Sequence, residues 1–317
     1  MCTAHRIFKN DIPEILPRKS TDRKTRKGIL HLVNGRYHVF DKSCYPEQIN
    51  LLLDALNHPM ADVFVHVDKK SQEIKDKITQ REGVYILPEQ QCVDVQWAQY
   101  SQVEATLQLL SAAVNRGGYS HYWLISGQDY PLQSMDSVIG FLEANQEVNF
   151  IECSQIDAFN KRNDVYFSNF VIGRKLWQKV LKNLWIYGTG GWNKTLPIFK
   201  RKAPDDFKYW FGSQWWCLNG TMAQWIIDYL NEHMEYEKFF EHSLCPDECF
   251  FQTLVMNSPF AGSVKPYLHY IKWEKGKSSP RTLTTIDYEE LKKTEKLIAR
   301  KFDIDVDTEI IERLRKR

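Results

Sequence analysis

The sequence has no apolar run near the ~20 residues that a bilayer-spanning helix needs, and its N-terminus lacks the apolar core of a secretory signal. These two gaps predict a cytoplasmic chain, with room for peripheral contact at the inner face of a membrane. Net charge is also scarce. Lys and Arg number 42 and Asp and Glu 40, which leaves +2 and argues against a dedicated nucleic-acid binder. Seven cysteines are present, but only Cys245 and Cys249 are close together, and no second pair or flanking His completes a zinc pattern. Free thiols in a reducing compartment are the expectation. The Gly-x-Gly-x-x-Gly fingerprint, the P-loop and the Gly-x-Ser-x-Gly elbow are all missing. Internal repeats and low-complexity tracts are missing as well.

What is there suits an α/β enzyme. The 317 residues are 43% hydrophobic and 13% aromatic, enough for a substantial core. Residues 1–27 are polar and basic and read as a poorly ordered lead-in. A first strand is expected at 28–33 or at 36–40. Pro46 opens an amphipathic helix with Ile49, Leu52, Leu53 and Leu56 on its apolar stripe. Residues 62–67 read as a buried strand that delivers Asp68 at its end. A helix over 71–80, a strand over 84–87 and a helix over 97–114 follow. Residues 119–126 form another strand, which breaks at Gly127 into Gln128-Asp129. Strand–helix alternation predicts a mostly parallel sheet, and such sheets bind ligands beyond the C-terminal ends of their strands. Asp68 and the 126–129 turn both lie there.

The second half is less regular. Strands are expected at 150–153 and 211–218, with helices at 221–233 and 246–256. The segment 174–187 is a basic amphipathic helix whose Leu176, Trp177, Val180, Leu181, Leu184 and Trp185 share one side. Two readings fit it: a helix packed on the protein and a helix lying on lipid.

Two acidic clusters invite chemistry. Asp303, Asp305 and Asp307 suit a metal site, but Asp just before a final helix more commonly caps it. The segment Cys245-Pro246-Asp247-Glu248-Cys249-Phe250-Phe251 sets two carboxylates among apolar neighbours. A carboxylate partly withdrawn from water suits general-base work. A helix start with acids at its positive end is the competing reading.

Several ordered segments decide the balance. They are Val65-His66-Val67-Asp68-Lys69-Lys70-Ser71, Val95-Gln96-Trp97, Tyr122-Trp123-Leu124-Ile125-Ser126-Gly127-Gln128-Asp129-Tyr130-Pro131-Leu132, Phe211-Gly212-Ser213-Gln214-Trp215-Trp216, Ser243-Leu244-Cys245-Pro246-Asp247-Glu248, Tyr270-Ile271-Lys272-Trp273 and Ala299-Arg300-Lys301-Phe302-Asp303. From about residue 36 to its end the chain resembles the core-2 and I-branching β-1,6-N-acetylglucosaminyltransferase family, which also includes the peptide O-xylosyltransferases.

The resemblance implies a GT-A-like α/β fold with a Rossmann-type, mostly parallel sheet flanked by helices and a C-terminal acceptor-side elaboration. It implies one domain over 28–317, with a nucleotide-binding half (28–150) and an acceptor-binding and catalytic half (151–317). It also implies an inverting transfer from a UDP-sugar, with no cofactor and no metal, to a glycan or lipid-linked saccharide. Asp68, Gly127, Asp129, Arg281 and Lys301 match nucleotide-sugar positions, with Arg281 and Lys301 on the diphosphate. Glu248 matches the catalytic base. Glu152, Lys161 and Trp273 match acceptor positions, with Arg162 the other basic candidate beside Lys161. The stretch Tyr37-His38-Val39-Phe40-Asp41-Lys42-Ser43 departs from the family's first-strand pattern.

Overall fold

A computed structural model describes residues 29–35, 46–277 and 279–316, with backbone only for 29–35. The basic lead-in over 1–27, the alternative first strand over 36–40 and the departure at 37–43 lie outside the described residues.

Seven strands form the main sheet: β1 (Ile29–Gly35), β2 (Ala61–Val67), β3 (Val84–Ile86), β4 (His121–Ser126), β6 (Asn149–Ile151), β7 (Trp216–Asn219) and β8 (Val264–Lys265), in the order β3-β2-β1-β4-β7-β6-β8. Strands β3, β2, β1 and β4 run parallel. β7 is antiparallel to both β4 and β6, and β6 and β8 are parallel. The expected mostly parallel sheet is therefore present, with one reversed strand at its centre. A second, three-stranded sheet joins β5 (Tyr130–Pro131), β10 (Ile298–Arg300) and β9 (His269–Ile271).

Ten α-helices accompany the strands among the described residues: α1 (Pro46–Ala55), α2 (Ser101–Arg116), α3 (Met135–Glu143), α4 (Lys161–Asp164), α5 (Leu176–Gly188), α6 (Gly220–Glu232), α7 (Met234–Phe240), α8 (Phe250–Met256), α9 (Tyr288–Lys293) and α10 (Glu309–Arg315). Both faces of the main sheet are covered. Successive residues of β4 show this. Tyr122 and Leu124 enter a core shared with α2, α6, α7 and α8, while Trp123 and Ile125 enter one shared with α1 and α3. Strand side chains alternate faces, so a strand apolar at every position must be buried on both. The C-terminal segment builds a third core, in which Leu283, Phe302, Ile310 and Ile311 pack on Tyr130 and Leu132.

Several expected boundaries move for identifiable reasons. The helix expected at 71–80 is a 3₁₀ stretch, Lys69–Lys77, capped by Asp68 and kinked at Ser71. The helix expected from 97 begins at Ser101, because Ala98 takes φ 60° and its N–H bonds to the Gln102 side chain at 2.7 Å. The strand expected over 211–218 forms only from Trp216. Phe211 makes a single bridge to Ser154 instead. The helix expected over 246–256 is broken into a 3₁₀ turn at Pro246–Glu248 and α8 from Phe250. The break follows Cys245, which sits at φ 53°, and centres on Cys249.

Candidate active site

A cavity of about 490 Å³ opens beyond the C-terminal end of β4. Its walls include Ser126, Gly127, Glu152, Glu248, Trp273 and Arg300. Ligand sites in open α/β sheets favour this place.

Glu248 reaches the cavity because of the break at Cys249. A continuous helix through 246–256 would carry it on a regular helical face; the 3₁₀ turn ends instead just after it. Its side chain is 45% accessible, and its Oε2 accepts a 2.7 Å hydrogen bond from Arg162 Nη1. Arg162 also stacks over Phe159, 4.1 Å from the ring centroid. An arginine so clamped fixes where the carboxylate points.

Glu152 also lines the cavity and is tied to the same short segment as Glu248. Its Oε2 accepts from the Ser213 N–H at 2.9 Å, and the Gly212 N–H donates to Glu248 O at 3.0 Å. A Cβ on residue 212 would sit 2.0 Å from Glu152 O. Only glycine fits between the two acidic segments. Trp273 is 58% exposed on the rim, not packed in the core. Its free aromatic face suits the apolar face of a sugar ring.

The expected basic ligands come from the C-terminal segment. The Arg281 N–H bonds to Lys272 O at 2.8 Å, Leu283 N–H to Lys301 O at 2.8 Å, and Phe302 N–H to Gln128 O at 2.9 Å. These bonds place the Arg281 and Lys301 segments side by side against the 126–129 turn. Gln48, on α1, donates to both Gly127 O and Phe302 O and fastens the assembly. Pro280 and Arg300, the neighbours of the two expected diphosphate ligands, line the cavity, whereas Arg281 and Lys301 are not among its lining residues. The Arg281 guanidinium bonds to buried Asp287 at 3.2 Å, and Lys272 holds that carboxylate's other oxygen at 3.0 Å.

Three expected ligands are otherwise engaged. Asp68 is buried. Its Oδ1 accepts from the Lys70 N–H at 3.0 Å, and its Oδ2 lies 3.1 Å from Lys70 Nζ. Burial raises its carboxyl above the usual value, against the opposing pull of Lys70. In this position it caps the 3₁₀ stretch that follows. Asp129 turns inward and does not line the cavity. It accepts from Ser126 N–H and Oγ, both at 2.8 Å, with His269 Nε2 at 3.4 Å and Arg300 Nε at 3.7 Å. Burial alone would raise its pKa, but Arg300 and His269 prevail and hold it below the ordinary value. Asp129 is thus a brace for the turn. Lys161 is also buried and donates to Thr189 O at 2.8 Å and Lys194 O at 3.0 Å, away from the cavity. Its neighbour Arg162 instead pairs with Glu248, which lines the cavity.

The remaining expectations settle plainly. Asp307 caps α10 by accepting from the Ile310 N–H at 3.1 Å, and it ties down Thr285 N–H at 2.7 Å. The Cys245 and Cys249 thiols are free, and burial pushes both up to about 12, which leaves them inert. The sequence offered no role for Arg300, Gln48 or Tyr267. Arg300 sits inside a matched motif, and a glutamine on the apolar stripe of α1 was the available signal for Gln48.

The described residues thus form an α/β architecture, a mostly parallel sheet with a cavity beyond its strand ends, walled by two acids, an exposed tryptophan and Arg300. A family model described as "Core-2/I-Branching enzyme" matches residues 42–295, and the chain belongs to that family. Xylosyltransferase 2 of Canis lupus familiaris is 23% identical over 292 residues, 84% of this chain and 31% of that protein. Xylosyltransferase 1 of Homo sapiens is 22% identical over 293 residues, 84% of this chain and 28% of that protein. The chain thus spans about a third of the length of these curated relatives. Among solved structures, apo mouse xyloside xylosyltransferase 1 aligns with a TM-score of 0.36 and 10% identity, covering 86% of this chain and 96% of that one. Core-mannan synthase A of Aspergillus fumigatus, in an Mn/GDP form, aligns at 0.38 and 12%, covering 78% and 73%.

Proposed function

We propose that this chain is an inverting, metal-independent transferase that moves N-acetylglucosamine, in β-1,6 linkage, from a UDP-sugar to a glycan or lipid-linked saccharide. The observation that carries the reading is Glu248, held by Arg162 and lining one cavity with Glu152 and the exposed Trp273.

In this mechanism Glu248 accepts the proton of an acceptor hydroxyl as its oxygen attacks C1 of the donor sugar. The bond from C1 to the diphosphate breaks, and UDP leaves with the electron pair. One base is enough, because attack from the face opposite the leaving group inverts the carbon directly. Charge builds on the departing diphosphate. Arg281 and Lys301 are assigned to stabilise it, with Arg300 at the cavity itself; fixed cations in a site shielded from water do this well. Residues 28–150 then supply the nucleotide-binding half and 151–317 the acceptor-binding and catalytic half, whose C-terminal segment also contributes the cations for the diphosphate. Free thiols at all five described cysteines support a reducing, cytoplasmic setting.

Xylose is the second donor reading, favoured by relatives that are themselves named xylosyltransferases. The deciding measurement is UDP release from UDP-N-acetylglucosamine, UDP-xylose and UDP-glucose, each with EDTA. Turnover of the first in EDTA is expected. Preference for the second moves the donor assignment to xylose. Activity only with added divalent metal removes the role given to Arg281 and Lys301. UDP binding without turnover on any glycan identifies a non-catalytic binding relative.

A further inference from the structure

Helix α5 does not pack on the protein in the way most amphipathic helices do. Ile186 is its single buried residue, and it joins Val165, Phe167 and Ile172 in a small satellite core. The rest of the apolar stripe faces outward. Leu176 is 78% exposed, and Val180, Leu184 and Tyr187 are exposed beside it. The flanking loops extend the same face, with Phe170 before the helix and Ile198, 85% exposed, after it. Contiguous apolar surface of this kind marks an interaction site.

The face is ordered in advance. Phe170 packs on Trp177 with ring centroids 4.9 Å apart, and Trp185 on Phe199 at 5.8 Å. The Trp185 indole N–H donates to Tyr166 O at 2.9 Å. Lys161 closes the loop beneath by holding Thr189 O and Lys194 O.

Charge selects the occupant. Residues 165–203 contain eight Lys and Arg and no Asp or Glu, in a chain whose overall balance is nearly even. Arg174, Lys175, Lys179, Lys194 and Lys200 are all exposed around the apolar stripe. A second copy docking through this face would set cation against cation. An anionic surface with an apolar interior is complementary to it on both counts. Tryptophan and tyrosine suit the boundary between such a surface and water. The 13 residues of α5 are too few to cross a bilayer, so the helix would lie in the membrane plane.

We propose that α5 and its flanking loops form a docking face for anionic phospholipid bilayers. Trp177, Leu184, Tyr187 and Ile198 enter the headgroup boundary, and the surrounding lysines and arginines meet lipid phosphates. Docking does not depend on which sugar is transferred.

The test is co-sedimentation of the full chain with vesicles of phosphatidylcholine alone or with roughly 30 mol% phosphatidylserine, an anionic lipid that attracts basic segments. Binding to the anionic vesicles at least about tenfold tighter than to neutral ones, and weakening in high salt, is expected. Leu176→Glu with Leu184→Glu should reduce that binding at least about tenfold, with melting temperature and UDP release on a soluble acceptor unchanged. Those two readouts keep a failure of docking separate from a failure of catalysis. A chain left wholly in the supernatant with anionic vesicles overturns the proposal. So does equal binding by the double variant, equal binding to neutral vesicles, or a concentration-dependent dimer that the double variant dissolves. The dimer result would assign the face to a second copy instead.

Discussion

At the residue scale the site divides into side chains that face the cavity and side chains that hold its walls. Replacing Glu248 by Gln keeps the shape and removes the base. Transfer should fall by roughly 10²–10⁴-fold, with UDP affinity by calorimetry unchanged. A variant as fast as the parent would end the assignment. Lys161 and Arg162 show what sequence leaves open at this scale. Neighbours on an α-helix point about 100° apart, so the two meet different surroundings, Glu248 for Arg162 and the Thr189 and Lys194 carbonyls for Lys161, and nothing in their identity says which goes where. Asp68 and Asp129 show the complementary difficulty. A carboxylate at a strand end serves a ligand or a backbone turn equally well, and only the bonds to Lys70 and Ser126 decide. A third residue carries a pH signature. Burial lowers the His121 pKa to about 4, against about 6.5 in an unfolded chain. Above pH 6.5 both states are neutral there and the histidine has no effect. As pH falls toward 4 the unfolded chain alone takes up the proton, and stability declines by roughly 3 kcal/mol before levelling off. Urea unfolding across that range should show the slope, and His121→Gln should flatten it.

At the element scale the sequence was most legible where periodicity is strong. The strands around 62–67 and 119–126, the helix from Pro46 and the helix over 221–233 stand where expected, to within a residue or two. Legibility failed where a single backbone conformation overrides propensity. Cys245 and Ala98 take left-handed angles without being glycine, and each moves the start of a helix. The short strands β5, β8, β9 and β10 carry two or three residues each, too few for any alternation to register. Gly212 makes the sharpest prediction of this kind. Gly212→Ala forces its Cβ against the Glu152 backbone, where no side chain can swing aside. Destabilisation of about 2 kcal/mol or more is expected, together with lost transfer activity. Unchanged urea unfolding and unchanged turnover would show that the two segments part more easily than their contact indicates.

At the scale of the whole molecule the class of fold and the place of the site were readable, because ordered motifs and strand–helix alternation both survive divergence. The wall built by the last thirty or so residues was not, since its core depends on Tyr130 and Leu132 from far earlier in the chain. That core supports the Lys301 segment. Ile310→Ala, at a fully buried position, should cost about 2–4 kcal/mol of stability, and it should weaken UDP binding more than acceptor binding. Titration calorimetry with each ligand separates the two. Equal losses would place α10 outside the donor side. The close approach at Gly212 has a wider meaning for this molecule. Glu152 and Glu248 come from distant stretches of chain yet share one rigid jig, so neither can drift without the other. A relative that adapts to a new acceptor would more readily do so elsewhere on the cavity lining, at Trp273, Tyr267 or Ile156.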